Sequence, residues 1–188
     1  MTNPHGELLH RDDCQMLFVD IQKVLLDPCD EAERLKKNAA ALLDMAEILN
    51  IPALFTVHNA EKLGGLLGEL ADKVRHPRVL NKLEFSCFEN RDFSEALAAS
   101  AQRTLIVAGL ETHVCVFHTA AHGLLLGYRV HVVADAVASR SRFNWEIGLK
   151  RLEKAGAVIS STEMVIFELL NRAGTPEFRT ALPLLKSL

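Results

Sequence analysis

Apolar residues along this chain recur with two periods. Short unbroken runs such as residues 15–20, 53–57, 105–108 and 128–134 read as strands buried on both faces, as in a parallel sheet. Between them the spacing changes to that of a helix. Over residues 31–49, Leu35, Ala39, Leu42, Ala46 and Leu49 share one face, with Glu31, Lys36, Lys37 and Glu47 off it. A short strand or extended piece is expected at 79–82 and a last short strand at 158–160. Further helices are expected at 94–100, 145–155 and 162–171, with a short one at 66–74 and a terminal helical segment opening at Gly174-Thr-Pro176. Strand and helix alternate without a linker or repeat, which predicts one domain over residues 1–188. Its fold class is α/β, a doubly wound, mostly parallel six-stranded sheet in three layers.

The stretch from Thr104 to Ala121 organises the rest. Its β-branched run ends at Gly109, where a sharp turn is possible, and from Thr112 the period is helical through Val114, Phe117, Ala121 and Leu125. Thr112 reads as the N-cap. Cys115 then falls in the first helical turn beyond the carboxyl end of a central strand, where open α/β sheets bind ligands. Unpaired N–H groups and the positive end of the helix dipole meet there and favour a thiolate. The competing reading is a small cysteine packed under a helix.

Composition narrows the function. The chain has 188 residues, 49% hydrophobic and 24% charged, with a net charge of −3. That balance argues against nucleic acid or an anionic membrane held by bulk charge. No apolar run approaches the ~20 residues of a membrane span, and the polar segment Met1 to Asp13 lacks the apolar core of a secretory signal. Cys14, Cys29, Cys87 and Cys115 show no paired spacing, so no disulfide framework or zinc knuckle is expected and a reducing cytoplasm is the default. Neither GxGxxG nor GxxxxGK[ST] occurs, so no nucleotide cofactor is expected.

Strand ends on one side of a parallel sheet converge. Asp20 closes the first strand, Lys82 the short third one, and Cys115 follows the fourth. Together they suit nucleophilic catalysis: Cys115 attacks, Asp20 takes and returns the proton, and Lys82 keeps Asp20 ionised. Singly, Asp20 also reads as a turn residue and Lys82 as a solvated surface lysine.

Three segments carry a family likeness. Phe18-Val-Asp-Ile-Gln22, Lys82-Leu-Glu-Phe-Ser-Cys-Phe88 and Gly109-Leu-Glu-Thr-His-Val-Cys115 occur in order, followed by Val132-Val-Ala-Asp-Ala-Val-Ala-Ser-Arg140. Over roughly residues 14–171 the chain resembles the isochorismatase-like cysteine hydrolases, and within them the small isochorismatase-domain proteins. The resemblance implies that Asp20, Lys82 and Cys115 form a triad. It also implies an oxyanion hole from the backbone N–H groups of Glu111 and Cys115, beside a cis peptide at Leu110–Glu111. Members that cleave isochorismate lack the cysteine, so Cys115 implies hydrolysis of a C–N bond in a small amide or carbamoyl metabolite through a thioester-type intermediate. Gln22, His58, Glu84, Phe85 and Phe88 are the expected pocket residues. Members that bind a metal carry Asp-x-His where this chain has Thr56-Val-His58, so no metal is expected. His113, one step from the nucleophile on a helix, reads as a packing or subunit contact. The helix at 119–126 is apolar on more than one side, and with the habit of the family this implies a homo-oligomer. Two rival functions stand beside the hydrolase: an inactive member serving as an interaction module, and a thiol redox sensor with Cys87 as the partner of Cys115.

Overall fold

Six parallel strands run through the middle of the molecule in the order β3-β2-β1-β4-β5-β6 in the computed structural model, which describes residues 8–188. The first seven residues of the segment read as free of a secretory signal lie outside the described residues. The strands are β1 (Cys14–Val19), β2 (Ala53–His58), β3 (Val79–Lys82), β4 (Thr104–Leu110), β5 (Arg129–Ala138) and β6 (Val158–Ser160). The helices are α1 (Lys23–Leu26), α2 (Ala32–Leu49), α3 (Ala60–Leu63), α4 (Gly68–Ala71), α5 (Arg91–Ala98), α6 (Cys115–Leu125), α7 (Arg142–Ala155), α8 (Thr162–Leu170) and α9 (Pro176–Leu185).

Every residue of β1 and β4 is buried, as their unbroken apolar runs require. Alternate side chains feed two cores. Met16 and Phe18 of β1 pack with α2, α8 and α9 on one face, while Leu17 and Val19 pack with α5, α6 and α7 on the other. The chain works outward from β1 to β3, then returns to the centre at β4 and works out the other way. The strand order therefore reverses between β1 and β4, which opens a crevice beyond their carboxyl ends.

Helix starts differ from the pattern-based reading where caps override periodicity. α5 begins at Arg91 because the Asn90 side chain accepts from the Phe93 N–H, and α7 begins at Arg142 because Ser141 accepts from Asn144. Thr112 is not the cap of α6. That place falls to Val114, whose side chain makes no cap bond, while the Thr112 hydroxyl donates to the Ala138 carbonyl at 3.0 Å. The first turn of α6 is thus left without a side-chain acceptor.

Gly109 of β4, with φ +131°, lies beside Val19 of the parallel neighbour β1, and a Cβ built on it would lie 2.1 Å from the Val19 carbonyl oxygen. All three nearest atoms are Val19 backbone, which cannot swing aside as a side chain would. Gly109→Ala is expected to cost about 4 kcal/mol or more, seen as loss of soluble protein or a melting point lowered by about 8 °C or more. A melting point within about 2 °C of the parent would refute this close-packing account.

His131 on β5 is 4% exposed and its Nδ1 has no hydrogen-bond partner among the described residues. Burial, with the charge of Arg129 adding to it, lowers its pKa from 6.5 to about 4. The unfolded chain therefore binds the extra proton first as pH falls. Stability from the neutral imidazole is complete above about pH 6.5 and is lost on acidification toward pH 4, by up to about 3 kcal/mol. Denaturant midpoints across this window should fall for the parent chain and stay flatter for His131→Leu.

Candidate active site

The crevice at the strand reversal is built from the ends of β1, β2, β3 and β4. Asp20 follows β1 with φ +53° and is fully buried. Its Oδ2 accepts from Lys82 Nζ at 2.6 Å, and its Oδ1 accepts from the Thr56 hydroxyl at 2.8 Å. Lys82 reaches Asp20 from the edge strand β3, across β2, and a further N–H of its ammonium donates to the Glu84 carbonyl at 3.1 Å. Burial, the largest influence, depresses Lys82, but the Asp20 carboxylate together with Cys87 and Cys115 raises it, and the net shift is upward. The ammonium is thus a fixed charge.

Cys115 opens α6, and its sulfur belongs to a cluster with an Asp20 carboxylate oxygen and a His58 ring nitrogen, all within 4.8 Å of one another. The helix start suggests a thiolate, but the structure favours the thiol. Burial first, then the negative charge of Asp20, push Cys115 well above the ordinary thiol range, and Lys82 offsets only part of this. Burial likewise raises Cys14 and Cys29 to about 12 and Cys87 to about 11. All four cysteines are unpaired, and the Cys87 thiol donates to the Thr56 hydroxyl.

The peptide bond Leu110–Glu111 is cis. The Glu111 carbonyl accepts from Val114 and Val116, whereas the N–H groups of Glu111 and Cys115 have no acceptor among the described residues. The Glu111 carboxylate is ion-paired to Arg140 Nε and lies 3.3 Å from His113 Nδ1. His113 also meets the Ser139 hydroxyl at 3.0 Å, so its role within the chain is to buttress Glu111.

A cavity of about 350 Å³ lies over this floor, lined by Val24, Leu25, Pro28, His58, Phe85, Glu111, Val114, Cys115 and Arg140. Of the expected pocket residues it brings His58 and Phe85 together, their rings stacked at 5.8 Å and 11°. Gln22, Glu84 and Phe88 do not line it. Gln22 is buried, accepting from the His58 N–H at 2.6 Å and donating to the His58 and Gly64 carbonyls, so it positions the His58 backbone. The Glu84 carboxylate turns back to the Leu83 N–H and Asn90. Phe88 packs against Phe93, His122 and Tyr128 beneath α6.

Five residues of the site escaped the pattern. Arg140 closes the recurring Ala-Asp-Ala-Val-x-Ser-Arg segment, a signal that was present but had no strand end to give it a place. The wall of Val24, Leu25 and Pro28 has no motif. Thr56 reads only as a missing metal ligand, yet it is the second donor to Asp20. Among the described residues no helix is long and apolar enough to cross a membrane.

Comparison with known proteins agrees with this architecture. The secreted isochorismatase effector Isc1 of Phytophthora sojae is 33% identical over 91% of this chain and 84% of its own. Among solved structures, one described as MAR1 ribonuclease from Caenorhabditis elegans superposes with a TM-score of 0.90 at 26% identity, covering 96% of this chain and 93% of the other. YcaC from Pseudomonas aeruginosa, solved with hexane-2,5-diol and covalent acrylamide, superposes with a TM-score of 0.86 at 27% identity over 97% of both chains. The isochorismatase domain model matches residues 14–164. With that match spanning most of an all-parallel three-layer fold whose strand reversal carries the buried Asp20–Lys82 pair beside Cys115, the chain belongs to the isochorismatase family.

Proposed function

We propose that this isochorismatase-family protein is a cysteine hydrolase that cleaves the C–N bond of a small amide or carbamoyl compound. The observation that carries the reading is the buried Lys82–Asp20 pair, 2.6 Å apart, clustered with the Cys115 sulfur under a largely apolar cavity. In the resting site Cys115 keeps its proton. Asp20 accepts it as sulfur attacks the carbonyl carbon, so thiolate forms only when substrate is in place. Negative charge then grows on the carbonyl oxygen, and the two partnerless N–H groups of Glu111 and Cys115 are the donors for it. Asp20 returns the proton to the leaving nitrogen. Ammonia or an amine departs and a thioester remains; water attacks it with Asp20 again as the base, the C–S bond breaks, the acid leaves, and Asp20 returns the proton to the Cys115 sulfur. Lys82 stays protonated throughout and remains paired to Asp20 between steps.

The cavity suits a compact acyl group against Val24, Leu25 and Phe85. The nematode neighbour's ribonuclease activity is not carried over. The cation in the cavity lining, Arg140, is paired to Glu111, and the net charge is −3, a poor match for a phosphate backbone. Four unpaired thiols fit a reducing cytoplasm.

Incubation with primary amides, N-carbamoyl compounds and ureido acids should release ammonia, and mass spectrometry of quenched mixtures should find acyl on the Cys115 peptide. Ammonia release that persists in Cys115→Ser, or its absence with every compound, would defeat the reading.

Assembly belongs to the same proposal. Leu125 and Leu126 at the end of α6 are 86% and 56% exposed, a patch that a second copy of the chain would cover. Light scattering at micromolar concentration should give a multiple of the 20.8 kDa chain mass, and a monomeric mass would refute it.

A further inference from the structure

The floor of the cavity offers a second chemistry. The Asp20, His58 and Cys115 ligand atoms lie within 4.8 Å of one another, one each from the ends of β1 and β2 and the start of α6. A tetrahedral metal with bonds of ~2.0–2.3 Å keeps its donors roughly 3.5 Å apart, so about 1 Å of side-chain movement closes the set. His58 is prepared for this. Its backbone is fastened by Gln22, its ring is stacked on Phe85, and its buried Nδ1 has no partner among the described residues. A buried imidazole nitrogen left unsatisfied in a site open to small molecules marks a place for a ligand.

We propose that Asp20, His58 and Cys115 form a site for a thiophilic divalent cation of the Zn²⁺ class, and that the bound ion masks the Cys115 thiol. A sulfur, a nitrogen and a single oxygen select zinc-like ions over Mg²⁺ and Ca²⁺, which need six or more oxygens. On binding, a metal–sulfur bond forms and the thiol proton leaves to solvent. Thiolate and carboxylate then place two negative charges on the ion, and Lys82 cancels about one of them, leaving net attraction. The fourth position faces the cavity and takes water. Position 56 supplies no ligand, because the Thr56 hydroxyl is committed to Asp20. Masking the sulfur would also halt the proposed hydrolysis, and only that consequence rests on the hydrolase reading.

Titration of the full chain with Co²⁺ should develop a near-ultraviolet thiolate charge-transfer band at one ion per chain. Zn²⁺ should displace it, and Mg²⁺ or Ca²⁺ should not. Cys115→Ser should abolish the band, and His58→Gln should weaken cobalt affinity about tenfold or more, with melting curves confirming that both variants fold. Peptide mapping should show Zn²⁺ protecting Cys115 from iodoacetamide and a chelator restoring its labelling. A band that survives Cys115→Ser, unchanged affinity in His58→Gln, or labelling of Cys115 unaffected by Zn²⁺ would each overturn the site. Protein that is masked by Zn²⁺ yet releases no ammonia from any amide supports the site and removes the hydrolase. Protein that hydrolyses amides while Zn²⁺ leaves Cys115 open to alkylation does the reverse.

Discussion

Cys115→Ala is expected to lower amide hydrolysis by ~10⁴-fold or more while leaving the fold in place. Removing the nucleophile of a concerted constellation costs about as much as removing the whole set, because the remaining groups have nothing to act on. The side chain sits at the edge of the cavity, 7% exposed, so its loss should move stability by only about 1 kcal/mol. Steady-state ammonia release and a thermal melt separate the two effects. Residual activity above about a tenth of the parent would show that sulfur is not the attacking atom.

Asp20→Asn is expected to damage both activity and stability. Lys82 is 2% exposed and its ammonium has one carboxylate within reach among the described residues. Converting that carboxylate to an amide leaves a buried charge without its counter-ion, at a cost of about 3–5 kcal/mol, or roughly 10 °C in melting temperature for a chain of this size. The backbone does not explain the loss, because Asn tolerates the φ of +53° that Asp20 adopts. Hydrolysis should fall by ~10³-fold or more, since the proton of Cys115 then has no acceptor. The double variant Asp20→Asn/Lys82→Met removes both charges. It should recover much of the lost stability and none of the activity, a non-additivity that a double-mutant cycle reads directly. A stable Asp20→Asn, within about 1 kcal/mol of the parent, would mean that the pair is solvated.

The interaction-module alternative would need an inaccessible Cys115 and no pocket, whereas the sulfur lines a cavity of about 350 Å³. The redox alternative gains little from Cys87, whose thiol is fully buried and engaged with Thr56.

Much of the molecule was legible as linear pattern. The period of two or none in the strands and of 3.6 in the helices placed the inner strands β1, β2, β4 and β5, because burial on both faces of a parallel strand leaves an apolar run, while the short edge strands β3 and β6, part-exposed, were legible only as brief extended pieces. Asp20, Lys82 and Cys115 were legible as candidates because each stands at the carboxyl end of a strand, and parallel strands carry all such ends to one edge. What the pattern could not supply were relations between side chains distant along the chain. Glu84 and Phe88 lie within six residues of Lys82, yet the turn after β3 points them away from the cavity, while Val24 and Pro28 meet Arg140 from a stretch more than 110 residues earlier in the chain. Thr112 looked like a helix cap by residue type, and only the neighbouring Ala138 carbonyl turned its hydroxyl elsewhere. Dipole and position in the helix argued for a thiolate at Cys115, and burial beside Asp20 reversed that balance. Local sequence sets which element forms and where it ends, because backbone propensity and periodic burial are local properties. Desolvation, ion pairing and the walls of a cavity depend on atoms brought together from several elements, and these the tertiary structure alone decided.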